Sequence, residues 1–234
     1  MSGMLYGIGL GPGDPELMTL KAYRLISGAE VVAYPALSGG ESFARSIAAD
    51  IISDDTIEVT IHIPMTVERS PAQAAYDQGA ADIAGHLDAG RDVVVLCEGD
   101  PFFYGTFMYL FARLAGKYET EVVPGVTSVT ACAAVAGRPL TARNEMLTII
   151  PGPLDEDTMR VRIAEAEAVV IMKVGRHLEK IRKVLDALGL TENAVYVERA
   201  SLQSQKVLPL EGAPCDAPYF SMILVTKGQD PWLN

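Results

Sequence analysis

Tryptophan occurs once in this 234-residue chain, and histidine and cysteine three times each. Cys97, Cys132 and Cys215 share no C-x-x-C spacing, which leaves no paired-thiol motif to read. Cys97 and Cys132 sit in apolar runs and read as small buried thiols in a reducing compartment. His62, His86 and His177 are scattered, so no metal cluster is read from them. Basic residues are scarce: 19 Lys and Arg stand against 30 Asp and Glu, a net charge of −11. That argues against a general nucleic-acid binder, which carries a basic face. No apolar run reaches the ~20 residues a membrane helix needs. The N-terminus shows no basic segment ahead of an apolar stretch, so no signal peptide is read and the expected location is the cytoplasm.

What is present suggests an α/β enzyme. Apolar residues make up 49% of the chain, enough for a sizeable core, and 21 Gly with 14 Pro supply many tight turns. Short β-branched runs predict strands at 4–10, 30–34, 57–63, 92–97 and 120–123, then at 147–150, 168–174, 194–198, 206–208 and 220–226. Helices are predicted at 20–27, capped by Thr19 and stopped by Gly28, and at 41–52, 72–89, 105–115, 126–136, 156–166 and 177–188. Two alternating sets suggest two lobes with a cleft between them, divided near 117–126 into domains 1–120 and 121–234.

Four loops fall at strand ends, where ligands of such sheets bind. The first lies in LYGIGLGPGDPELMTLKA, beginning at Leu5. It fails the G-x-G-x-x-G dinucleotide test: counted from Gly7 the third glycine slot holds Pro12, and counted from Gly9 it holds Asp14. No G-K-[ST] follows either. The loop therefore reads as a structural turn or as a backbone wall against a flat, largely neutral ligand. In CEGDPFFYG, Asp100 reads equally as a cap for the next segment or as a ligand acceptor. In VVPGVTSVTACAAVAG, Thr127 and Ser128 stand at a helix start, where capping is their ordinary role. In the second half, VVIMKVGRH ends a strand with Met172 and Lys173, and VYVERASLQSQKV ends one with Glu198, Arg199 and Ala200.

GxGPGDPELMTLKA, EGDPFFYG, PGVTS, IMKVGR and ERASLQSQ occur in that order over essentially the whole chain. Together they closely resemble the tetrapyrrole (corrin/porphyrin) methyltransferases, and VVAYPAL resembles the branch that methylates ring carbon 20 of precorrin-2 in cobalamin synthesis. The resemblance implies two α/β lobes, each a mixed sheet with flanking helices. It also implies a homodimer, S-adenosylmethionine as methyl donor and a tetrapyrrole substrate, with no nucleic acid, membrane or metal. Carried over by position, it implies donor contacts from Pro12, Gly99, Asp100, Phe103, Thr127, Ser128, Met172 and Ala200. Relatives acting on uroporphyrinogen carry Asp after the equivalent of Tyr34; Pro35 stands there, so no catalytic Asp is carried across. Glu98, Asp100 and Tyr104 remain candidate proton acceptors. Arg45, Arg138, Arg143, Arg176, Arg199 and Lys206 are candidates for the substrate carboxylates. The nearest alternative keeps the chemistry but takes the cobalt-bearing form of the substrate or another ring carbon; a nucleotide-dependent oxidoreductase is the second, set back by the glycine spacing, and a non-catalytic binding module is a third.

Overall fold

The computed structural model of the chain describes residues 1–37, 39–64 and 69–227. In the first half, Val- and Ile-rich runs form β1 (Leu5–Gly9), β2 (Val31–Leu37), β3 (Ile57–Ile63), β4 (Val93–Cys97) and β5 (Thr120–Val123). They assemble in the order β3-β2-β4-β1-β5, and every pairing is parallel. This sheet is wholly parallel rather than mixed, because each strand is followed by a helical crossover. All five residues of central β4 are buried, as a strand covered on both faces requires.

The crossovers are α1 (Leu20–Ser27), α2 (Phe43–Ile47), α3 (Arg69–Asp88) and α4 (Phe107–Leu114). Thr19 Oγ1 accepts from the Ala22 N–H at 3.1 Å and caps α1. α1 then buries Ala22 and Ile26, one turn apart. In α4 the buried set is Phe107, Leu110 and Leu114. α2 is shorter than the sequence predicts: the Ala48 N–H bonds back three residues to Arg45 O, and residues 48–52 close into turns. β2 is longer, running through Pro35 to Leu37. It pairs with β4 only as far as Ala33, so the missing Pro35 N–H falls where the strand has a single neighbour.

The second half forms α5 (Ser128–Val135), β6 (Leu147–Pro151), α6 (Glu156–Glu165), β7 (Ala168–Met172), α7 (Leu178–Ala187), β8 (Ala194–Glu198), β9 (Lys206–Pro209) and β10 (Ser221–Thr226). Its sheet, β6-β7-β10-β8-β9, is mixed: β6 and β7 are parallel, and the other neighbours are antiparallel. Met159 and Ile163 of α6 and Ile181, Val184 and Leu185 of α7 share one core over it.

The chain divides into two compact units, Met1–Thr127 and one beginning at Ser128. A boundary at 120/121 would cut β5, whose register with β1 (Leu5 opposite Thr120, Ile8 opposite Val123) ties it to the first unit. Among the described residues, no helix is long and apolar enough to cross a membrane.

Candidate active site

In the first unit, α1 and α2 pack on the sheet face carrying Ile8, Leu10, Val94 and Leu96, while α3 and α4 pack on the face carrying Val95 and Cys97. Adjacent strands β1 and β4 therefore lead into helices on opposite faces. This is a topological switch point, where open α/β sheets receive ligands. The loops containing Pro12 and Gly99 leave from that point.

These loops are joined backbone to backbone. The Gly99 N–H donates to Gly11 O at 2.8 Å, and the Gly11 N–H returns to Gly99 O at 3.2 Å. Gly11 and Gly99 both hold left-handed backbone, φ +82° and +64°. The loop after β5 closes on the same place: a Cβ at Gly125 would stand 2.1 Å from Gly99 O, and one at Gly9 would stand 2.5 Å from Gly125 N. A Cβ at Gly99 would meet nothing within 4 Å, so the turn opens onto free space.

Asp100 fastens this junction. Its Oδ1 accepts the Phe102 N–H at 2.9 Å and its Oδ2 accepts the Gly125 N–H at 3.1 Å. The structure thus gives Asp100 a structural task in two loops. Phe103 is half-buried, its ring edge-on to Tyr104 with centroids 5.3 Å apart. Tyr104 itself is a non-glycine residue at φ +56°. Pro12, Gly99, Asp100 and Phe103 are therefore brought together. Thr127 ends the first unit, and Ser128 opens α5 of the second.

Glu98, beside this junction, extends the Val94–Leu96 face toward the start of α2. Burial pushes its carboxyl above the usual 4.5, partly offset by the Glu98 and Ala44 backbone amides. A raised value means that the folded chain holds this proton more tightly than the unfolded chain does. Its stabilising contribution is complete below 4.5 and is lost as pH rises through the folded value. Glu98→Gln is therefore expected to melt higher than the parent at pH 8, with the gap closing toward pH 4.5, as paired melts across pH would read. A constant gap would contradict the shift. The neighbouring Cys97 thiol is likewise pushed up by burial, and that of Cys132 reaches about 12.

In the second unit, Met172 at the end of β7 lies opposite Met222 of β10, which lies opposite Val197 of β8. Met172, Met222 and Ala200 are 8%, 4% and 7% exposed, so these ends of the inner strands offer apolar atoms at a nearly closed surface.

Most candidate cations are already engaged. Arg45 binds Glu58 in a two-pronged pair, Nε to Oε2 at 3.0 Å and Nη2 to Oε1 at 2.9 Å, and Tyr34 also donates to Glu58 Oε2. This pair holds the Glu58 carboxyl below its ordinary value. Arg138 donates to Asn193 O at 2.7 Å. Arg199 and Lys206 share Glu198 Oε1. Arg143 is exposed at φ +49°. Arg176 is exposed, and its side chain has no hydrogen bond or ion pair among the described residues. Its charge and that of Lys180 add to burial in lowering the affinity of His177 for a proton.

The family model for Tetrapyrrole (Corrin/Porphyrin) Methylases matches residues 4–213. The chain belongs to this family. It is 42% identical to a precorrin-2 C(20)-methyltransferase from Sinorhizobium sp, over 97% of both chains. It is 32% identical to a cobalt-precorrin-2 C(20)-methyltransferase from Salmonella typhimurium, over 97% of this chain and 98% of the relative. A uroporphyrin-III C-methyl transferase from Thermus thermophilus, solved with S-adenosylhomocysteine, superposes with a TM-score of 0.68 at 27% identity, covering 96% of this chain and 92% of that one.

For a tetrapyrrole methylase, four features had gone unassigned in the sequence. Gly125 is the partner of Gly9 and Gly99, Met222 lies between Met172 and β8, and Glu198 and Gln205 hold the turn after β8. The Pro-Gly pair in VVPGVTS carried a signal for the first. Met222 depends on strand pairing that a linear reading does not contain, and Glu198 and Gln205 on contacts made within the folded turn.

Proposed function

We propose that this methylase transfers the methyl group of S-adenosylmethionine to carbon 20 of precorrin-2, giving precorrin-3A in cobalamin biosynthesis. The observation that carries the reading is the 42% identity to the Sinorhizobium C(20) enzyme across nearly the whole of both chains. The donor supplies an activated methyl on a sulfonium that departs as a neutral thioether. The residues present suit such a ligand: a glycine junction open to space at Gly99, apolar Met172 and Ala200, and no phosphate-type loop. Pro12, Gly99, Asp100 and Phe103 would shape one part of the donor site, Thr127 and Ser128 would hydrogen-bond it, and Met172 and Ala200 would meet its adenosine.

The chain's contribution is then alignment and exclusion of water. Holding two reacting atoms in line is worth up to about 7–11 kcal/mol in well-oriented systems. A proton must leave the methylated carbon. Both Asp100 oxygens accept backbone amides, which favours Glu98 or Tyr104 as its acceptor. Methyl transfer from labelled S-adenosylmethionine to enzymatically made precorrin-2, under anaerobic conditions, tests the reading. Absence of labelled precorrin-3A would overturn it. Cobalt-precorrin-2 is the second reading, favoured by the full-length match to the Salmonella enzyme, and the same assay with cobalt-loaded substrate decides between them.

Among the candidate cations, Arg176 is the best placed for a substrate carboxylate, since Arg45, Arg199 and Lys206 are occupied by Glu58 and Glu198. Arg176→Glu should raise the KM for tetrapyrrole about tenfold or more, as loss of a charged hydrogen bond does. The KM for the donor should stay unchanged in the same steady-state assay. We further place the reaction in the cytoplasm and the working form as a homodimer, which light scattering of the purified chain would read.

A further inference from the structure

The turn that follows β8 is held in an unusual backbone conformation. Arg199 and Ser201 both lie in the left-handed region, φ +48° and +68°, and neither is glycine. L-residues keep such conformations only when their surroundings fix them. Here the surroundings are specific. The Arg199 N–H donates to Phe220 O at 2.8 Å. The Ser201 N–H donates to Gln205 Oε1 at 3.0 Å. The Arg199 guanidinium reaches Glu198 Oε1 at 2.9 Å, and Lys206 Nζ reaches the same oxygen at 3.2 Å. The Tyr196 hydroxyl donates to Glu198 Oε2 at 3.0 Å. Glu198 is only 2% exposed, so a buried carboxylate is satisfied by three donors from around one turn.

Ala200 stands between the two left-handed residues and is 7% exposed. Glycine would make such a turn without help. This chain uses non-glycine residues and fixes them from two sides.

We propose that Glu198 and Gln205 are positioning residues for the methyl donor: they lock the Arg199–Ser201 turn so that Ala200 forms a fixed floor for adenosine. The proposal rests on the reading above in which Ala200 meets the donor. Glu198 acts from inside, through the guanidinium of Arg199. Gln205 acts from outside, through one backbone amide of Ser201.

Gln205 gives the cleaner test, because it is exposed and its loss leaves the core of the unit intact. The readout is calorimetric titration of S-adenosylhomocysteine into the full chain. Gln205→Ala should weaken binding about tenfold, the effect of one lost hydrogen bond at its upper range. Gln205→Glu keeps an oxygen acceptor and should bind as the parent does. Adding Ser201→Gly to Gln205→Ala should restore affinity, since glycine adopts φ near +68° unaided. Glu198→Gln should raise the KM for the donor and leave that for the tetrapyrrole unchanged. A Gln205→Ala variant that melts lower yet binds the donor product as tightly as the parent would show a purely structural role and overturn the proposal. Failure of the Ser201→Gly rescue would do the same. A parent chain that gives no heat and transfers no methyl would instead bring down the donor site itself, and this proposal with it.

Discussion

Gly125→Ala is expected to abolish methyl transfer and to lower the melting temperature by about 5–10 °C, from overpacking worth about 2–3 kcal/mol. The added Cβ would stand 2.1 Å from Gly99 O, 2.8 Å from Gly9 C and 2.9 Å from Gly9 Cα. All three are backbone atoms, so no side chain can swing aside. Relief requires the loops after β1, β4 and β5 to separate, which strains the Gly11–Gly99 hydrogen bonds and the Asp100 contact to Gly125. The expected loss of function therefore exceeds what stability alone predicts, because the three loops that part are those assigned to the donor. Gly85→Ala is the matched control: it lies inside α3, its Cβ would meet nothing within 4 Å, and it should stabilise by about 0.5–1 kcal/mol. Thermal melts and S-adenosylhomocysteine titrations of the two variants check this. Parent-like values for Gly125→Ala would show that the backbones do not approach so closely.

Asp100→Ala should weaken S-adenosylhomocysteine binding about a hundredfold or more, from the loss of two hydrogen bonds to a charged acceptor worth about 1.5–3 kcal/mol each. It strips the acceptor from the Phe102 and Gly125 amides together. Asp100→Asn retains one carbonyl oxygen and can satisfy only one amide, so its affinity should fall between the two. That ordering distinguishes the clamp from a direct ligand role alone. If Asp100 only met the donor, the melting temperature would be indifferent to its removal; the clamp requires a fall in melting temperature in the same order as the fall in affinity. Equal effects of Ala and Asn, with no change in melting, would contradict it.

The elements were legible in the sequence because their causes are local. The runs at 57–63, 120–123 and 194–198 coincide with β3, β5 and β8, each a stretch with β-branched residues closed by turn residues. Thr19 and Gly28 bracket α1 as read, since a cap acts within one turn of itself. Two departures appeared where a distant partner decides. β2 continues through Pro35 because β3 alone accompanies it there, and β5 joins the first unit because β1 lies beside it.

The order of the motifs, the alternation of strand and helix and the failure of the glycine fingerprint are properties of the chain as written. They were enough to indicate the α/β class and the family resemblance. Asp100 could be read as cap or ligand acceptor until folding brought the Gly125 amide to one of its oxygens, 25 residues away in sequence. Arg45, Arg199 and Lys206 looked alike until folding set Glu58 and Glu198 against them. Composition and periodicity act over a few residues and are carried by the sequence directly. Which backbone meets which glycine, and which cation keeps its charge unspent, depends on atoms that only the packed sheets bring within bonding distance.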